Sequence, residues 1–535
     1  MKRNLFYIIL CTLAFGTYSC RPMSDELLSY GQNDDQVFAA AGRSYAEEFK
    51  TLWMAMNENY CIWDYEEQCG LDWDAVYDTY LPQFEALDKR QKDVTDDEFV
   101  ALYKQIMDSL HDGHMYVTLQ NLSTGHFLTV NPNSDRNMRE RPEVFTAEGE
   151  NVTSLDYYQS TTDTRYKIQD FDGTGSGLIV VEVMDSTAHR ILRAADAYIA
   201  AVDAAGGPDE FNDSIYSGAN KIKAFAQNLL DVITVNPMAA IENSLSSMVA
   251  DYNKACTIYT LVAQQIGVKM PTIDTQIGDD DLKSLRFALF EGNVVYLRIG
   301  AFGLSRHLEP AYKTTDTTTM YYAYQQAVNR VWQHWFDTIQ SLHASGRLGG
   351  VIFDLRNNGG GLVNDYQYAL GALLPSGGWH SHTLRVKNGT GRLDFAPLVP
   401  FSCPTYSGTH AIISEEPIVV LANSHSGSLA ENTTWGVMNQ PNGYFIGTRT
   451  YGALSALNPV PEAYSETYSG AFGVKNVTPI YGYLPKYVCL YDEDLHVVEG
   501  HGFDPDENLP LDVDLWKSTG RDNQLERALD YVKNH

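Results

Sequence analysis

Residues 417–432 read PIVVLANSHSGSLAEN and pass from an apolar run, through a polar loop, into a predicted helix. The run Ile418–Leu421 is short and apolar, as expected of a strand buried on both faces. A strand that leads into a helix is the repeating unit of a parallel sheet covered by helices. In such sheets, chemistry collects at the carboxyl ends of the strands. The stretch therefore predicts an α/β fold and marks its own loop as a candidate site.

The same alternation continues on both sides of this stretch. Strands are predicted at Asn293–Ile299, Val351–Leu355 and Tyr444–Ile446, and helices at about 362–374 and after Ser428. A further helix is predicted from one apolar stripe, made of Val328, Val331, Trp332, Trp335, Ile339 and Leu342. This order predicts a largely parallel sheet with right-handed crossovers over residues 285–515. A C-terminal helix is predicted at 516–535.

The upstream half has a different, mainly helical pattern. Phe49, Leu52 and Met56 recur at helical spacing, and Thr95–Glu98 forms a capping box ahead of a second stripe. These patterns predict an N-terminal helical domain at 45–120. Residues 121–284 read as a mixed, largely helical segment of unknown role, with a strand-like run at Leu178–Val181. A chain of 535 residues is expected to form two or three domains.

The first twenty residues predict export. They combine a basic start, a short apolar run and small or polar residues before Cys20. A cysteine at the cleavage point resembles a bacterial lipoprotein signal, which implies a lipid anchor at Cys20 in the cell envelope; plain export is the alternative. Residues 21–44 then read as a tether.

Composition and motifs exclude several classes of function. The formal net charge of −30 argues against nucleic acid as a partner, because phosphates would be repelled. The sequence contains no CxxC or HExxH motif, and the spacing of His111 and His114 finds no third ligand. Neither a metal nor a cofactor is expected.

Two loops carry the residue types that acyl transfer requires. A serine at the start of a helix, such as Ser428, lies beside free N–H groups and the positive end of the helix dipole. The glycines of Gly349–Gly361 allow backbone N–H groups to approach a carbonyl oxygen closely. Taken separately, the glycine run is also typical of a turn and the serine cluster of a helix cap.

Together, these loops resemble the peptidase core of the C-terminal processing (tail-specific) peptidase family. The resemblance lies in VIFDLRNNGGG, LANSHSGSLAEN and YFIGTRTYG, and extends to FALFEGNVVYLRIGAF, VVEGHGFDPD and the upstream LHDGHMYV. It implies a multi-domain α/β protein whose core has the ClpP/crotonase-like fold, and a serine-type peptidase that needs no cofactor. No PDZ-like module is recognisable in the middle segment.

The resemblance also implies which residues act in the core. The nucleophile lies three residues before a glutamate, and counting back from Glu431 selects Ser428, with Ser424 and Ser426 as alternatives. The oxyanion donors would be the backbone N–H groups of Gly359 or Gly360 and of Leu429. Many members use a lysine 25 residues after the nucleophile as base, but this chain has Ala453 there.

The base is instead expected from the branch that is similar to tricorn-core peptidases. That branch uses a histidine of the N-terminal domain, which His114 in Asp112-Gly113-His114 matches, although Gly113 replaces a serine. Histidine titrates near neutral pH and suits general-base catalysis. Glu499 matches a glutamate that orients the site, or is a surface carboxylate. His425 and His501 are alternative bases.

The sequence thus predicts an exported serine peptidase that acts on a peptide or polypeptide through an acyl-enzyme on Ser428, with His114 as base. The alternative is a catalytically inactive protein of the same fold that binds a peptide or an apolar ligand.

Overall fold

The computed structural model describes residues 42–90, 92–132, 155–174, 176–235, 252–256, 259–268, 285–315, 320–375, 379–389, 391–455, 472–473, 478–485 and 487–535. The predicted signal peptide, Cys20 and all of the tether before residue 42 lie outside the described residues.

Helices account for most of the first half of the described chain. In chain order they are α1 (Tyr45–Asn59), α2 (Trp63–Gln68), α3 (Trp73–Asp88), α4 (Asp96–Met107), α5 (Asp156–Ser160), α6 (Ser176–Ala204), α7 (Asp213–Val235), α8 (Ser305–Leu308), α9 (Met320–Ala344), α10 (Leu429–Met438), α11 (Val513–Thr519) and α12 (Asn523–Asn534). Short 3-10 helices lie at Pro310–Tyr312, Val363–Tyr368 and Leu370–Ala372. Among the helices described, none is both long enough and apolar enough to cross a membrane.

Most of the strands lie in the second half. They are β1 (Tyr116–Gln120), β2 (Phe127–Val130), β3 (Ile168–Gly173), β4 (Leu285–Phe290), β5 (Val294–Ile299), β6 (Gly350–Asp354), β7 (Trp379–Val386), β8 (Val399–Cys403), β9 (Ile418–Ala422), β10 (Gly443–Gly447), β11 (Ile480–Tyr483), β12 (Tyr487–Leu490) and β13 (Glu507–Asn508).

The chain forms two compact units. The first combines residues up to Glu140 with Leu384–Val399 and Ser455–Leu490, and the second combines Arg141–Thr383, Pro400–Leu454 and Tyr491–His535. Each unit is therefore assembled from separate stretches of sequence.

The first unit is helical around a small sheet. Helix α1 begins where the Ser44 side chain accepts the N–H of Glu47, and α4 begins where Thr95 accepts the N–H of Glu98, as the capping box predicts. The stripe residues Phe49, Leu52 and Met56 are buried. Strand β1 pairs antiparallel with β11 and with β2. The predicted helical N-terminal region is confirmed.

The second unit is built on a seven-stranded sheet in the order β13-β10-β9-β6-β5-β4-β3. The pairs from β13 to β5 are parallel, whereas β4 and β3 add antiparallel strands at one edge. Both faces are covered. Trp335 and Ile339 of α9 pack on one core cluster, and Leu525 and Leu529 of α12 on another. The prediction of a mixed α/β protein with a mostly parallel sheet is confirmed.

The sheet order explains why the two candidate loops meet. Strands β6 and β9 are parallel neighbours, with Asp354 opposite Leu421, and the N–H of Leu355 donates to the Leu421 carbonyl at 2.8 Å. The loops that follow these strands therefore leave the same edge of the sheet side by side.

Three local predictions differ from the structure. The run Leu178–Val181 lies inside helix α6, because a short apolar run fits a buried helix as well as a strand. The helix expected at about 362–374 is two 3-10 helices separated by Ala369, and the carboxylate of Asp365 accepts the N–H groups of Leu304 and Ser305. In the C-terminal segment, Gly520 ends α11 in the left-handed conformation, and α12 begins at Asn523.

A buried ionic cluster fixes the start of the glycine loop. Arg356 contacts Asp354 at 2.6 Å, Asp522 at 2.7 Å and the Gln524 side chain at 2.9 Å. The Tyr296 hydroxyl donates to the same oxygen of Asp354, Oδ2, at 2.8 Å. Although burial opposes the ionisation of Asp354, the nearby Arg356 and Arg298 hold its pKa at about 2. The cluster joins β5, β6 and α12.

Removing Arg356 is expected to destabilise the second unit. The Arg356→Ala change removes the guanidinium from two buried carboxylates, and Asp354 keeps the more distant Arg298 at 3.4 Å. Breaking such a buried pair costs about 3–5 kcal/mol of the free energy of unfolding. The depressed pKa of Asp354 means that its contribution is complete above the unfolded value near 4 and is lost as pH falls towards 2. Urea unfolding of both proteins at pH 7 and pH 3 measures this. Arg165→Ala, at an exposed pair with Asp163, is the control and should change little; an equally small change for Arg356→Ala would contradict the expectation.

Candidate active site

Ser428 stands at the turn between β9 and α10 in an unusual backbone conformation. Its φ is 53° and its ψ −118°, a region that glycine adopts easily and other residues rarely. Such strain, on the order of 1–3 kcal/mol, is found where a sharp strand-to-helix turn presents a nucleophile. Ser428 is the residue that caps the start of α10.

The neighbouring serines have structural partners. Ser424 and Ser426 are fully buried, whereas Ser428 is partly exposed. The hydroxyl of Ser426 donates to the Leu355 carbonyl at 2.8 Å and accepts the N–H of Asn423 at 2.9 Å. It therefore ties the two loops together. Of the three serines, Ser428 is the one that is partly exposed.

The glycine loop lies directly against Ser428. Gly360 has a φ of 100°, and a Cβ atom at this residue would lie 2.5 Å from the Ser428 Cβ and 2.9 Å from the Leu429 nitrogen. No side chain fits in that space. Glycine is required here because the loop and the start of α10 are in contact.

The three glycine N–H groups point in different directions. The N–H of Gly360 donates to the Asn358 Oδ1 at 2.8 Å. The Asn358 carbonyl accepts the N–H of Gly427. In a trans peptide the C=O and the N–H point in opposite directions, so the N–H of Gly359, which shares this peptide, points away from Gly427. The Gly360 carbonyl accepts the N–H of Phe302, so the N–H of Gly361 points away from Phe302.

Glu431 is the residue that holds the turn at Ser428. Its carboxylate is fully buried and accepts the N–H of Ser428 at 3.0 Å and the hydroxyl of Thr450 at 2.6 Å. It also accepts the N–H groups of Gly452 at 2.7 Å and Ala453 at 2.8 Å. Burial raises the pKa of Glu431 and these hydrogen bonds lower it. The sequence reasoning used Glu431 to identify Ser428 and did not assign it a role of its own. The S-x-x-E pattern, which is typical of a capping box, indicates that role.

Replacing this carboxylate by an amide is expected to misplace Ser428. In Glu431→Gln, an NH2 group faces N–H donors, and each buried donor left without an acceptor costs about 1–3 kcal/mol. We expect a lower melting temperature and slower labelling of Ser428 by a fluorophosphonate, measured by gel fluorescence over time. Glu415→Gln, at an exposed carboxylate of the same unit, is the control. Wild-type labelling by Glu431→Gln would show that the capping carboxylate does not position the serine.

The predicted orienting residue Glu499 belongs to the same unit and is buried. Its Oε2 accepts the N–H of Leu454 at 2.8 Å. The residue before Leu454 is Ala453, whose carbonyl accepts the N–H of Ser428 at 3.0 Å. Glu499 therefore fixes the segment that runs alongside the turn at Ser428, and Ala453 places no titratable group there.

His114 belongs to the first unit, on a tightly held turn before β1. The Asp112 Oδ1 accepts the N–H groups of His114 at 2.8 Å and Met115 at 2.9 Å. The neighbouring His111 pairs through Nδ1 with the buried Glu66 at 2.6 Å. Burial raises the pKa of Asp112 to about 7 and lowers the pKa of His114 to about 4, the latter opposed by a hydrogen bond to the Ser455 main chain.

Two other histidines, His425 and His501, are the alternative candidates for the base. The N–H of His425 donates to the Asn423 Oδ1, and the His501 Nδ1 contacts the Gly502 carbonyl at 2.9 Å. Within the described part of the chain, one cluster has metal-ligand spacing, formed by the exposed side chains of Asp492, Asp494 and His496. His496 already pairs with Asp492 at 2.7 Å.

The sequence of this unit matches a known family over part of its length. Residues 293–468 match the sequence model of peptidase family S41. This range contains both candidate loops, Ser428 and Glu431, but neither His114 nor Glu499. No curated protein matches the chain.

Solved structures show likenesses over different lengths. A protein from Parabacteroides merdae described as a candidate peptidase is 15% identical, with a TM-score of 0.47, over 91% of this chain and 96% of its own. Mature CPAF is 12% identical, with a TM-score of 0.42, over 92% and 97%. The photosystem II D1 C-terminal processing protease is 16% identical, with a TM-score of 0.25, over 40% and 42%.

The family match and the geometry concern the same residues. The loops after β6 and β9, which the sheet brings together, are both inside the matched range. Residues 293–468, with Ser428 at their strand-to-helix turn, therefore match peptidase family S41.

Proposed function

We propose that the chain is a serine peptidase that hydrolyses peptide bonds through an acyl-enzyme on Ser428, with His114 as general base. The observation that carries this proposal is the conformation of Ser428. A strained, partly exposed serine begins a helix, with glycine backbone packed against it. This is an arrangement suited to nucleophilic attack.

In the first half of the reaction, the Ser428 oxygen bonds to the substrate carbonyl carbon and its proton passes to His114. The carbonyl electrons move to the oxygen, giving a tetrahedral oxyanion. When they return, the carbon–nitrogen bond breaks and the leaving amine takes the proton from His114. Water then attacks the ester carbon as it gives a proton to His114, and His114 passes that proton to the Ser428 oxygen as its bond to the carbon breaks.

The orientation of the loop supports a choice of oxyanion donors. We assign the N–H of Leu429, at the first turn of α10, and the N–H of Gly361. The sequence suggested Gly359 or Gly360, but the N–H of Gly360 is occupied by Asn358 and that of Gly359 points away from Gly427. Negative charge develops on the substrate carbonyl oxygen in the tetrahedral intermediate, and two fixed backbone N–H donors are the usual means of stabilising it.

The base must be neutral to accept the serine proton. Because burial lowers the pKa of His114 to about 4, its imidazole is neutral at physiological pH. Glu499 is proposed as a positioning residue. It fixes Leu454, and the next residue, Ser455, contributes the main-chain hydrogen bond to His114.

The substrate is proposed to be a peptide or a polypeptide, as befits a peptidase family. Export, and a lipid anchor at Cys20 that would hold the protein at a membrane, are proposals that rest on the sequence alone.

Labelling with a fluorophosphonate tests the proposal directly. The folded protein is treated at pH 7.5, digested and examined by mass spectrometry for the modified residue. We expect one phosphonylated serine, Ser428, and none after heat denaturation. A folded protein that remains unlabelled would favour the inactive, ligand-binding alternative. Modification of Ser424 or Ser426 would identify that serine, instead of Ser428, as the nucleophile.

A further inference from the structure

Asn358 is a buried residue of the glycine loop whose side chain makes two hydrogen bonds. Its Oδ1 accepts the N–H of Gly360 at 2.8 Å, and its Nδ2 donates to the Ile299 carbonyl at 2.8 Å. Ile299 is the last residue of β5. The side chain therefore links the end of a central strand to the loop that contacts Ser428.

The main chain of Asn358 makes two more connections. Its N–H donates to the Leu355 carbonyl at 3.1 Å, and its carbonyl accepts the N–H of Gly427 at 2.9 Å. Leu355 follows β6, and Gly427 precedes the nucleophile. One residue is thus bonded to the ends of two strands and to both loops of the candidate site.

Three consecutive glycines give this loop no steric restraint of its own. Glycine populates positive and negative φ almost equally, so a peptide between two glycines can rotate at little cost. The peptide between Gly359 and Gly360 is fixed by Asn358, and the next one, which carries the Gly361 N–H, is fixed by Phe302. The direction of the Gly361 N–H therefore depends on hydrogen bonds from outside the glycine run.

We propose that Asn358 is a positioning residue of the oxyanion hole, because its side chain holds Gly360 against the turn at Ser428. Phe302 fixes the next peptide, whose Gly361 N–H we assign to the oxyanion. This inference rests on the proposed function. Without the Asn358 amide, the Gly359–Gly360 peptide is free to flip and the hole is incomplete for most of the time. Binding of the substrate depends little on that donor, whereas the transition state depends on it strongly.

The test compares Asn358→Ala with wild type by steady-state hydrolysis of a fluorogenic peptide that the wild type cleaves, by the rate of fluorophosphonate labelling, and by melting temperature. Loss of one oxyanion donor predicts a fall in kcat of about 10²–10³-fold, with KM little changed and slower labelling. The matched control is Gln325→Ala. Gln325 is a buried amide of α9 with three hydrogen bonds, to Arg306, Tyr312 and Thr314, and its loss should lower the melting temperature but leave kcat unchanged.

A second variant serves if Asn358→Ala does not fold. Asn358→Asp keeps the shape and the acceptor for Gly360, but its ionised carboxylate repels the Ile299 carbonyl. Protonation restores a donor at that point, so the ratio of variant to wild-type kcat is expected to rise as pH falls from 8 to 6. A purely structural role predicts a constant ratio.

The outcomes separate the two ideas. If wild type is labelled at Ser428 but Asn358→Ala matches it in kcat and labelling, the inference is overturned and the proposed function stands. If both alanine variants lose kcat in proportion to their melting temperatures, Asn358 is structural only. If wild type itself is not labelled, the proposed function fails and the inference fails with it.

Discussion

Replacing Ser428 by alanine is expected to abolish fluorophosphonate labelling and to lower peptide hydrolysis by about 10⁴–10⁶-fold, as loss of a nucleophile does in other serine peptidases. The hydroxyl is the only group removed. Because serine and alanine both carry a Cβ atom, the backbone strain at φ 53° and the contact with Gly360 are the same in both proteins. The melting temperature should therefore stay close to that of wild type.

A second substitution at the same residue separates catalysis from strain. Glycine at 428 also lacks the hydroxyl, but it adopts this conformation without penalty. Relief of strain outweighs the greater entropy of an unfolded glycine, so Ser428→Gly is expected to raise the free energy of unfolding by about 1 kcal/mol. Inactivity combined with higher stability is the signature of a residue kept for its chemistry.

Ser426 provides the matched control. Its buried hydroxyl bonds to Leu355 and Asn423, and Ser426→Gly removes both bonds at a cost of about 1–3 kcal/mol. Stability should thus change in opposite directions at two serines two residues apart. Calorimetry on the three variants measures this. If Ser428→Gly is destabilised like Ser426→Gly, the turn is not strained, and if Ser428→Ala still hydrolyses peptides, the nucleophile lies elsewhere.

Much of the second unit could be predicted because its elements are locally encoded. Strands β5, β6, β9 and β10 are short apolar runs between turn residues, and α9 has a single apolar stripe. Periodicity alone fails where burial is complete. The run Leu178–Val181 became part of α6, and residues 363–372 form 3-10 turns because tertiary contacts such as those of Asp365 decide their geometry.

The details of the site were less predictable because they depend on residues distant in sequence. The S-x-x-E spacing selected Ser428, but nothing local shows that the Glu431 carboxylate also binds Thr450, Gly452 and Ala453. The glycine run has the same residue type at three successive positions, so the sequence alone does not show which N–H is the oxyanion donor. Only the bonds that Asn358 and Phe302 make to Gly360 distinguish one N–H from the next.

Replacing His114 by alanine is expected to lower kcat/KM to a similar extent, by about 10⁴-fold or more, because the serine then has no base. The pH profile tests the base more specifically. Since burial lowers the pKa of His114 to about 4, the base stays neutral and activity persists as pH falls through 6.5, where an ordinary histidine would protonate. Activity is then lost as pH falls through about 4.

Two further variants make this profile interpretable. Asp112, with a pKa of about 7, accepts the N–H of His114, so any second inflection near pH 7 should disappear in Asp112→Asn, whose amide oxygen still accepts that N–H. His126→Ala, at an exposed histidine of the same unit, controls for loss of an imidazole and should retain full activity.

The contrary results would each have a definite meaning. If His114→Ala retains activity while Ser428→Ala does not, the nucleophile stands and His425 and His501 become the next candidates for the base. If the acid limb lies near pH 6.5 instead of 4 and disappears with one of those histidines, that residue is the base. The low pKa of His114 makes its protonated form a good acid towards the leaving amine and its neutral form a weaker base towards Ser428. We therefore expect proton removal from Ser428 to limit the rate of acyl-enzyme formation. The value of kcat/KM should then be lower in D2O than in H2O, whereas the binding affinity for the substrate should be the same in both.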